Sequence, residues 1–388
     1  MAYVDRYANF DLATGANDGT SEADAWQSWD DIYAGLTAGV RVNIKKQSAP
    51  LDFSAFDIDY QISGITSQPT ASHPIMFSGY ESVTGDGGMW EAECDQVAAR
   101  YFRIRDCEFC HFENLKVHGG PTNNALVVGF GTHSNGFNTV RNCSTICSEF
   151  ITHGHVANSY IGLRSTLTVG RAIFGSTSNR TTHVIDSVVD FISSGNNNFS
   201  HDHLIGIDDS ARSCSFTNCI FLSRTSTTQD GINHSSPEGS ESITYDQCRF
   251  YGFDNAIVFA VEPAFDDRKI TITNCIFEDC GRAIYRGGAT ELGFVKIRDC
   301  YYRNMTTGFT NYTEISETHN TPLTADAFID GVNGNFLLNT TAGGGQVIRD
   351  AGGSYDNGGT FETPSEFFGT MFEEGGGSVT PSTHTYFG

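Results

Sequence analysis

The residues best suited to chemistry lie between positions 152 and 234. "SGNNNFSHDHLIGIDDSAR" (194 to 212) carries His201, Asp202 and His203, with Asp208 and Asp209 a few residues on; "TSTTQDGINHSSPEGSES" (225 to 242) adds Asp230 and His234, and "THGH" (152 to 155) adds His153 and His155. Hydrolysis of a glycosidic bond needs two carboxyl groups, one protonated as general acid and one ionised as base or nucleophile. Asp202, Asp208, Asp209 and Asp230 are the candidates for that pair, and the five histidines are candidates for binding a substrate. Three other readings stay open. His201, His203 and Asp208 could ligate a divalent cation, because residues i and i+2 of a strand share a face. A lyase could draw its base from Arg164, Arg171, Arg180, Arg212 or Arg224. A solvated polar loop would use its Asp residues only to cap turns. No cofactor is required, and a divalent cation is compatible with the metal and lyase readings.

Such residues need a rigid frame, and the cysteines reveal it. "FRIRDCEF" (102 to 109), "CSFTNCIF" (214 to 221), "ITYDQCRF" (243 to 250), "ITITNCIF" (270 to 277) and "VKIRDCYY" (295 to 302) share one pattern: alternating residues, a side-chain amide or carboxylate, Cys, any residue, aromatic. "NTVRNCST" (138 to 145) and "THVIDSVV" (182 to 189) are weaker copies. The polar positions Asp106, Asn142, Asp186, Asn218, Gln247, Asn274 and Asp299 are 36, 44, 32, 29, 27 and 25 residues apart, closing on the length of a solenoid coil. Alternation predicts a strand with one buried face. The polar residue breaks that alternation, and Asn and Asp tolerate the left-handed backbone a corner needs. A looser signature follows, as in "NNALVV", "GRAIFG", "QDGINH", "DNAIVF" and "GRAIYR", and supplies a third strand. Three strands and three bends per repeat give an all-β chain wound as a parallel β-helix.

This pattern resembles the right-handed, single-stranded parallel β-helix proteins of the pectate-lyase-like superfamily, and most nearly the spike, fibre and decoration proteins of bacteriophages. "ANDGTSEADAWQSWDDIYAGL" is similar to the lead-in segment of such proteins and "FIDGVNGNFLLNTTAGGGQVIRDAG" to their closing coil. The division expected is an N-terminal segment at 1–39, with a capping helix over 23–36, a β-helix at 40–340 and a Gly-rich closing segment and tail at 341–388. The resemblance implies a fold; the superfamily holds lyases, hydrolases, epimerases and inert adhesins alike.

Composition bounds the partners. A formal charge of −23 repels nucleic acid and anionic membranes, and no apolar run is long enough to span a bilayer. Eleven cysteines, an odd number, without a secretory apolar segment after Met1, fit free thiols in a reducing compartment. The column of cysteines is expected to point inward as packing, and the regular coils to be structural, leaving chemistry to the swollen coils between Cys143 and Cys248. Aromatic residues in "FGTMF" and "THTYFG" mark the tail as a segment docking on other virion proteins. The expected function is therefore display on a virion, assembled in the host cytoplasm, of a β-helix that binds host-surface polysaccharide. The alternatives are a polysaccharide depolymerase, hydrolase or lyase, and an architectural decoration with no ligand.

Overall fold

A computed structural model describes residues 3–94, 100–105, 109–119, 127–130, 138–147, 149–152, 154–163, 171–174, 181–191, 203–207, 213–224, 230–234, 242–259, 269–286, 294–309, 316–331 and 335–351. The chain divides into two compact units, residues 1–322 and 323–388.

The first unit is a parallel β-helix. Among the described residues it has sheets of twelve, eleven and nine strands, here sheets 1, 2 and 3, and every pairing within them is parallel. The chain visits sheet 1, sheet 2 and sheet 3 in turn: Ser242–Asp246, Arg249–Tyr251 and Asn255–Phe259 make one coil, and Lys269–Thr273 returns to sheet 1 one storey up. Bare strand edges force this stacking, since each coil's backbone groups are satisfied only by its neighbours. Interior side chains stack in columns. Phe221, Phe250 and Phe277 lie ring over ring at 4.9 Å, and Phe216 stacks on Tyr245 at 5.0 Å. Burying each ring contributes about 2–3 kcal/mol.

The corner from sheet 1 to sheet 2 is the feature written most plainly in the sequence. Asn142, Asp186, Asn218, Gln247, Asn274 and Asp299 all have φ between +49° and +56°. Each corner amide of the series from Asn142 to Asn274 is capped by a carbonyl one coil on, as in Asn274 N to Arg298 O at 3.2 Å. The side chains continue the ladder, with Asn218 Nδ2 donating to Asp186 Oδ1 at 2.7 Å. Cys143, Cys219, Cys248, Cys275 and Cys300 follow their corners and are fully buried, so they are packing residues with free thiols. Cys107 lies outside the described residues.

Two parts of the repeat are corrected. "FRIRDC" is not a sheet 1 copy: Tyr101–Arg105 belongs to sheet 3, and the true copy in that coil is "CHFENL", with Asn114 at φ +57°. Leu115 takes the cysteine's place, so this copy lacks the residue that marks the others. The 44-residue step is two coils, because Asn158 also turns a corner at φ +46°, with Ser159 inside it. The corners at Asn142, Asn158 and Asp186 are thus 16 and 28 residues apart, so the first of these coils is tight rather than swollen.

At the N-terminus, sheet 1 begins with Val4–Ala8, paired to Val40–Lys45. The helix is shorter than 23–36: it covers Trp29–Gly35, capped by the Ser28 hydroxyl, which accepts from Asp31 N at 3.1 Å. Trp26 cannot join it, because its backbone pairs with the first strand through Trp26 N to Tyr7 O at 2.9 Å and Asn9 N to Trp26 O at 2.8 Å. Trp29 fills the end of the core, edge-on to Trp90 and Phe102 at 5.4 Å each.

In the second unit, Phe328–Asp330 pairs antiparallel with Asn335–Leu338, and a short helix spans Gly345–Asp350. Asn339 ties these together: its Nδ2 donates to Asp326 O and Phe328 O, and its Oδ1 accepts from the amides of Thr341 and Gly345. The tail segments "FGTMF" and "THTYFG" lie outside the described residues. Among the described residues, no helix is long and apolar enough to cross a membrane.

Candidate functional site

Asp230 opens the sheet 3 strand Asp230–His234, and parallel register sets His203 beside it on one side and Asn255 on the other. Arg282 continues the row beyond Asn255. These positions start their strands just past the corner between sheets 2 and 3, where a side chain can leave the stacked interior.

Asn255, buried, organises the group. Its Nδ2 donates to Asp230 Oδ1 at 2.6 Å and to Asp254 Oδ2 at 3.2 Å. Two bonds to one nitrogen limit the separation of those oxygens to about 5.8 Å. The Asn255 Oδ1 faces the Arg282 guanidinium at 3.4 Å from Nη1, which fixes the amide with its donors toward the carboxylates. Arg282 in turn lies over the Tyr285 ring, 5.2 Å from its centroid. Asp230 and Asp254 are both half-buried. Gly281 makes room for the second: a Cβ there would stand 2.4 Å from Asp254 O and 2.5 Å from its Oδ1.

Of the residues singled out in the sequence, this site holds Asp230, with His203 as its backbone neighbour. His234 lies at the far end of Asp230's own strand. His155 belongs to sheet 1, so it does not join them. Asp202, Asp208, Asp209, His153 and His201 lie outside the described residues. Asp254, Asn255 and Arg282 were missed, although "DNAIVF" and "GRAIYR" had already been aligned with "QDGINH" as the third strand. That alignment was the available signal; the expectation that regular coils are inert obscured it.

Two further polar groups are built differently. His155 pairs in register with His183, their rings stack at 5.0 Å, and the His183 Nδ1 meets the Ser215 hydroxyl. Burial, and then the neighbouring His183 and His111, push the His155 imidazole down to about 4. In sheet 2, Asp190 is 0 % exposed and receives the Tyr160 hydroxyl at 2.8 Å and Arg224 Nε and Nη2 at 2.9 and 2.8 Å. Burial raises the Asp190 carboxyl above the usual range against the opposing pull of Arg224. With its carboxylate wholly buried, this triad ties three coils rather than meeting a substrate. Among the described residues no group of three or more His, Cys, Asp or Glu is placed to hold a metal ion.

No protein family and no curated protein matches the sequence. Among solved structures, the backbone is similar to pectate lyase Pel9A, at 8 % identity and TM-score 0.45, covering 88 % of this chain and 90 % of that one. It is also similar to the GH136 lacto-N-biosidase from Eubacterium ramulus, at 11 % identity and TM-score 0.38, covering 82 % of this chain and 67 % of that one. No residue role is transferred from either.

Proposed function

We propose that this β-helix is a polysaccharide depolymerase, a glycoside hydrolase whose carboxyl pair is Asp230 and Asp254. The observation that carries this reading is the pair's common bond to Asn255 Nδ2, which keeps the facing oxygens within about 5.8 Å. Carboxyl groups about 5–5.5 Å apart leave no room for a water between one of them and the sugar, so hydrolysis runs through a covalent intermediate with retention. Asp230, with the shorter bond to Asn255, is the nucleophile: its carboxylate forms the bond to the anomeric carbon as the glycosidic bond breaks. Asp254 gives its proton to the departing oxygen, then takes one from the water that releases the sugar. A charge of −23 favours neutral or cationic glycans over uronates. The two solved structures above are named for carbohydrate chemistry, but the proposal stands on the carboxyl pair.

Reducing-end release from a panel of bacterial capsule and exopolysaccharides tests it. Release with retained anomeric configuration, lost in both Asp230→Asn and Asp254→Asn, is the expected result. Glycan binding without release would leave a binding or architectural β-helix instead, and variants as active as the parent would remove Asp230 and Asp254 as the carboxyl pair. The wider proposal, that a virion carries this chain to a host surface, rests on the bacteriophage resemblance and the aromatic tail. Its test is whether deleting residues 352–388 abolishes incorporation into virions.

A further inference from the structure

Four interior thiols, Cys219, Cys248, Cys275 and Cys300, stand in one column, each just past a left-handed corner and each 0 % exposed. Backbone bonds lock their coils together at this point: Arg249 N to Cys219 O, Ile276 N to Cys248 O and Tyr301 N to Cys275 O span 2.8–2.9 Å. The register of the strands that follow, Ile220 beside Arg249, Arg249 beside Ile276 and Ile276 beside Tyr301, stacks Cys219, Cys248, Cys275 and Cys300 on successive coils, and each thiol is held by a backbone carbonyl, as in Cys275 Sγ to Thr273 O at 3.2 Å. Neighbouring strands set Cα atoms about 4.8 Å apart, within the roughly 4.4–6.8 Å that a disulfide spans.

We infer that this column is a site of oxidative modification, in which a small-molecule disulfide converts adjacent thiols into inter-coil bridges, Cys275 to Cys300 and Cys219 to Cys248. A Cys thiolate attacks the reagent's disulfide, releasing one small thiol and forming a mixed disulfide. The neighbouring Cys thiolate then attacks the protein sulfur and expels the second small thiol. Two protein thiols are oxidised, one reagent disulfide is reduced to two thiols, and the protons of the cysteines pass to the leaving thiolates.

The column also sets order and pairing. Closing Cys248 to Cys275 strands Cys219 and Cys300 without a partner in the column, so complete oxidation requires the two outer pairings. Reaction starts at Cys300, because its sheet 2 strand, Tyr301–Arg303, is half-buried at all three residues, whereas Arg249–Tyr251 and Ile276–Glu278 are wholly buried. The least buried coil opens first.

The test incubates the full chain with oxidised glutathione below its melting temperature, alkylates remaining thiols after denaturation, and maps linked peptides by mass spectrometry. The Cys275–Cys300 peptide is expected first and Cys219–Cys248 later, with a higher melting temperature that a reductant reverses. Cys300→Ser should fold, since Ser159 and Ser187 occupy equivalent places after their corners; it should divert Cys275 to Cys248. Four thiols that remain alkylatable, glutathione adducts without bridges, or links outside the column would each overturn the inference.

Discussion

Asn255 and Asp230 occupy paired positions on adjacent coils, and the amide nitrogen of one lies 2.6 Å from the carboxylate oxygen of the other. Asn255→Ala removes a buried donor shared by two carboxylates. It should cost about 1–3 kcal/mol in denaturant unfolding and release Asp254 as well as Asp230, so reducing-end release falls with it. Asn255→Asp sets a third carboxylate among them, and its stability deficit should grow as pH rises above the carboxylate range.

Gly281→Ala tests the same site from the opposite side. The added Cβ meets both the backbone and the side-chain oxygen of Asp254, so the carboxylate must move. Reducing-end release should drop while Asp230→Asn in the Gly281→Ala background lowers it little further, the non-additivity expected of residues acting as a unit.

Arg224→Met leaves the wholly buried Asp190 without its guanidinium. Breaking a buried pair from one side costs about 3–5 kcal/mol, and replacing both partners with apolar residues costs far less. Arg224→Met with Asp190→Leu should therefore melt higher than Arg224→Met alone. The Asp190 carboxyl is already raised by burial, and losing Arg224 raises it further. A raised carboxyl is favourable when protonated, so the single variant's deficit should shrink as pH falls toward about 4.

His155 gives the opposite sign. Its imidazole titrates at about 4 in the fold and at 6.5 when free of it. Between those values the unfolded chain binds the proton first, so the contribution is whole above pH 6.5 and is lost as pH falls toward 4. The loss amounts to roughly 3 kcal/mol, and His155→Gln should flatten the acid limb of a stability–pH curve.

Asn274 turns its corner at φ +52° and donates to Asp246 Oδ1 at 2.9 Å. Asn274→Ala should cost about 1–2 kcal/mol from the left-handed backbone alone. Asn274→Gly should recover that part and lose only the side-chain bond, which thermal melts of the pair would separate.

The corner residues were legible because their chemistry is local: an Asn or Asp that breaks a period-two pattern states its own backbone geometry. Asn158 escaped notice because Ser159 stands where Cys was sought, and Asn114 because Leu115 does. The carboxyl pair was half legible. Asp230 drew notice as a charged residue in a polar loop, but Asp254 is chosen by register, and register depends on coil lengths that only correct corners supply. The Asp190–Arg224 pair joins residues 34 positions apart across one storey, with no motif in either segment.

The coil between Asn142 and Asn158 shows how little chain one storey needs. Three strands of four residues and their corners complete a full circuit in 16 positions. The protein's length is therefore quantised. Excising residues 143–158 removes one whole floor, lowers everything above it by about 4.8 Å, and joins Asn142 to Ser159, a corner residue to the serine that already follows a corner. The floor that begins at Tyr160 takes a new neighbour below and the floors above it keep theirs, so the distance from the N-terminal cap to Asp230 can be reset in unit steps without altering what surrounds Asp230.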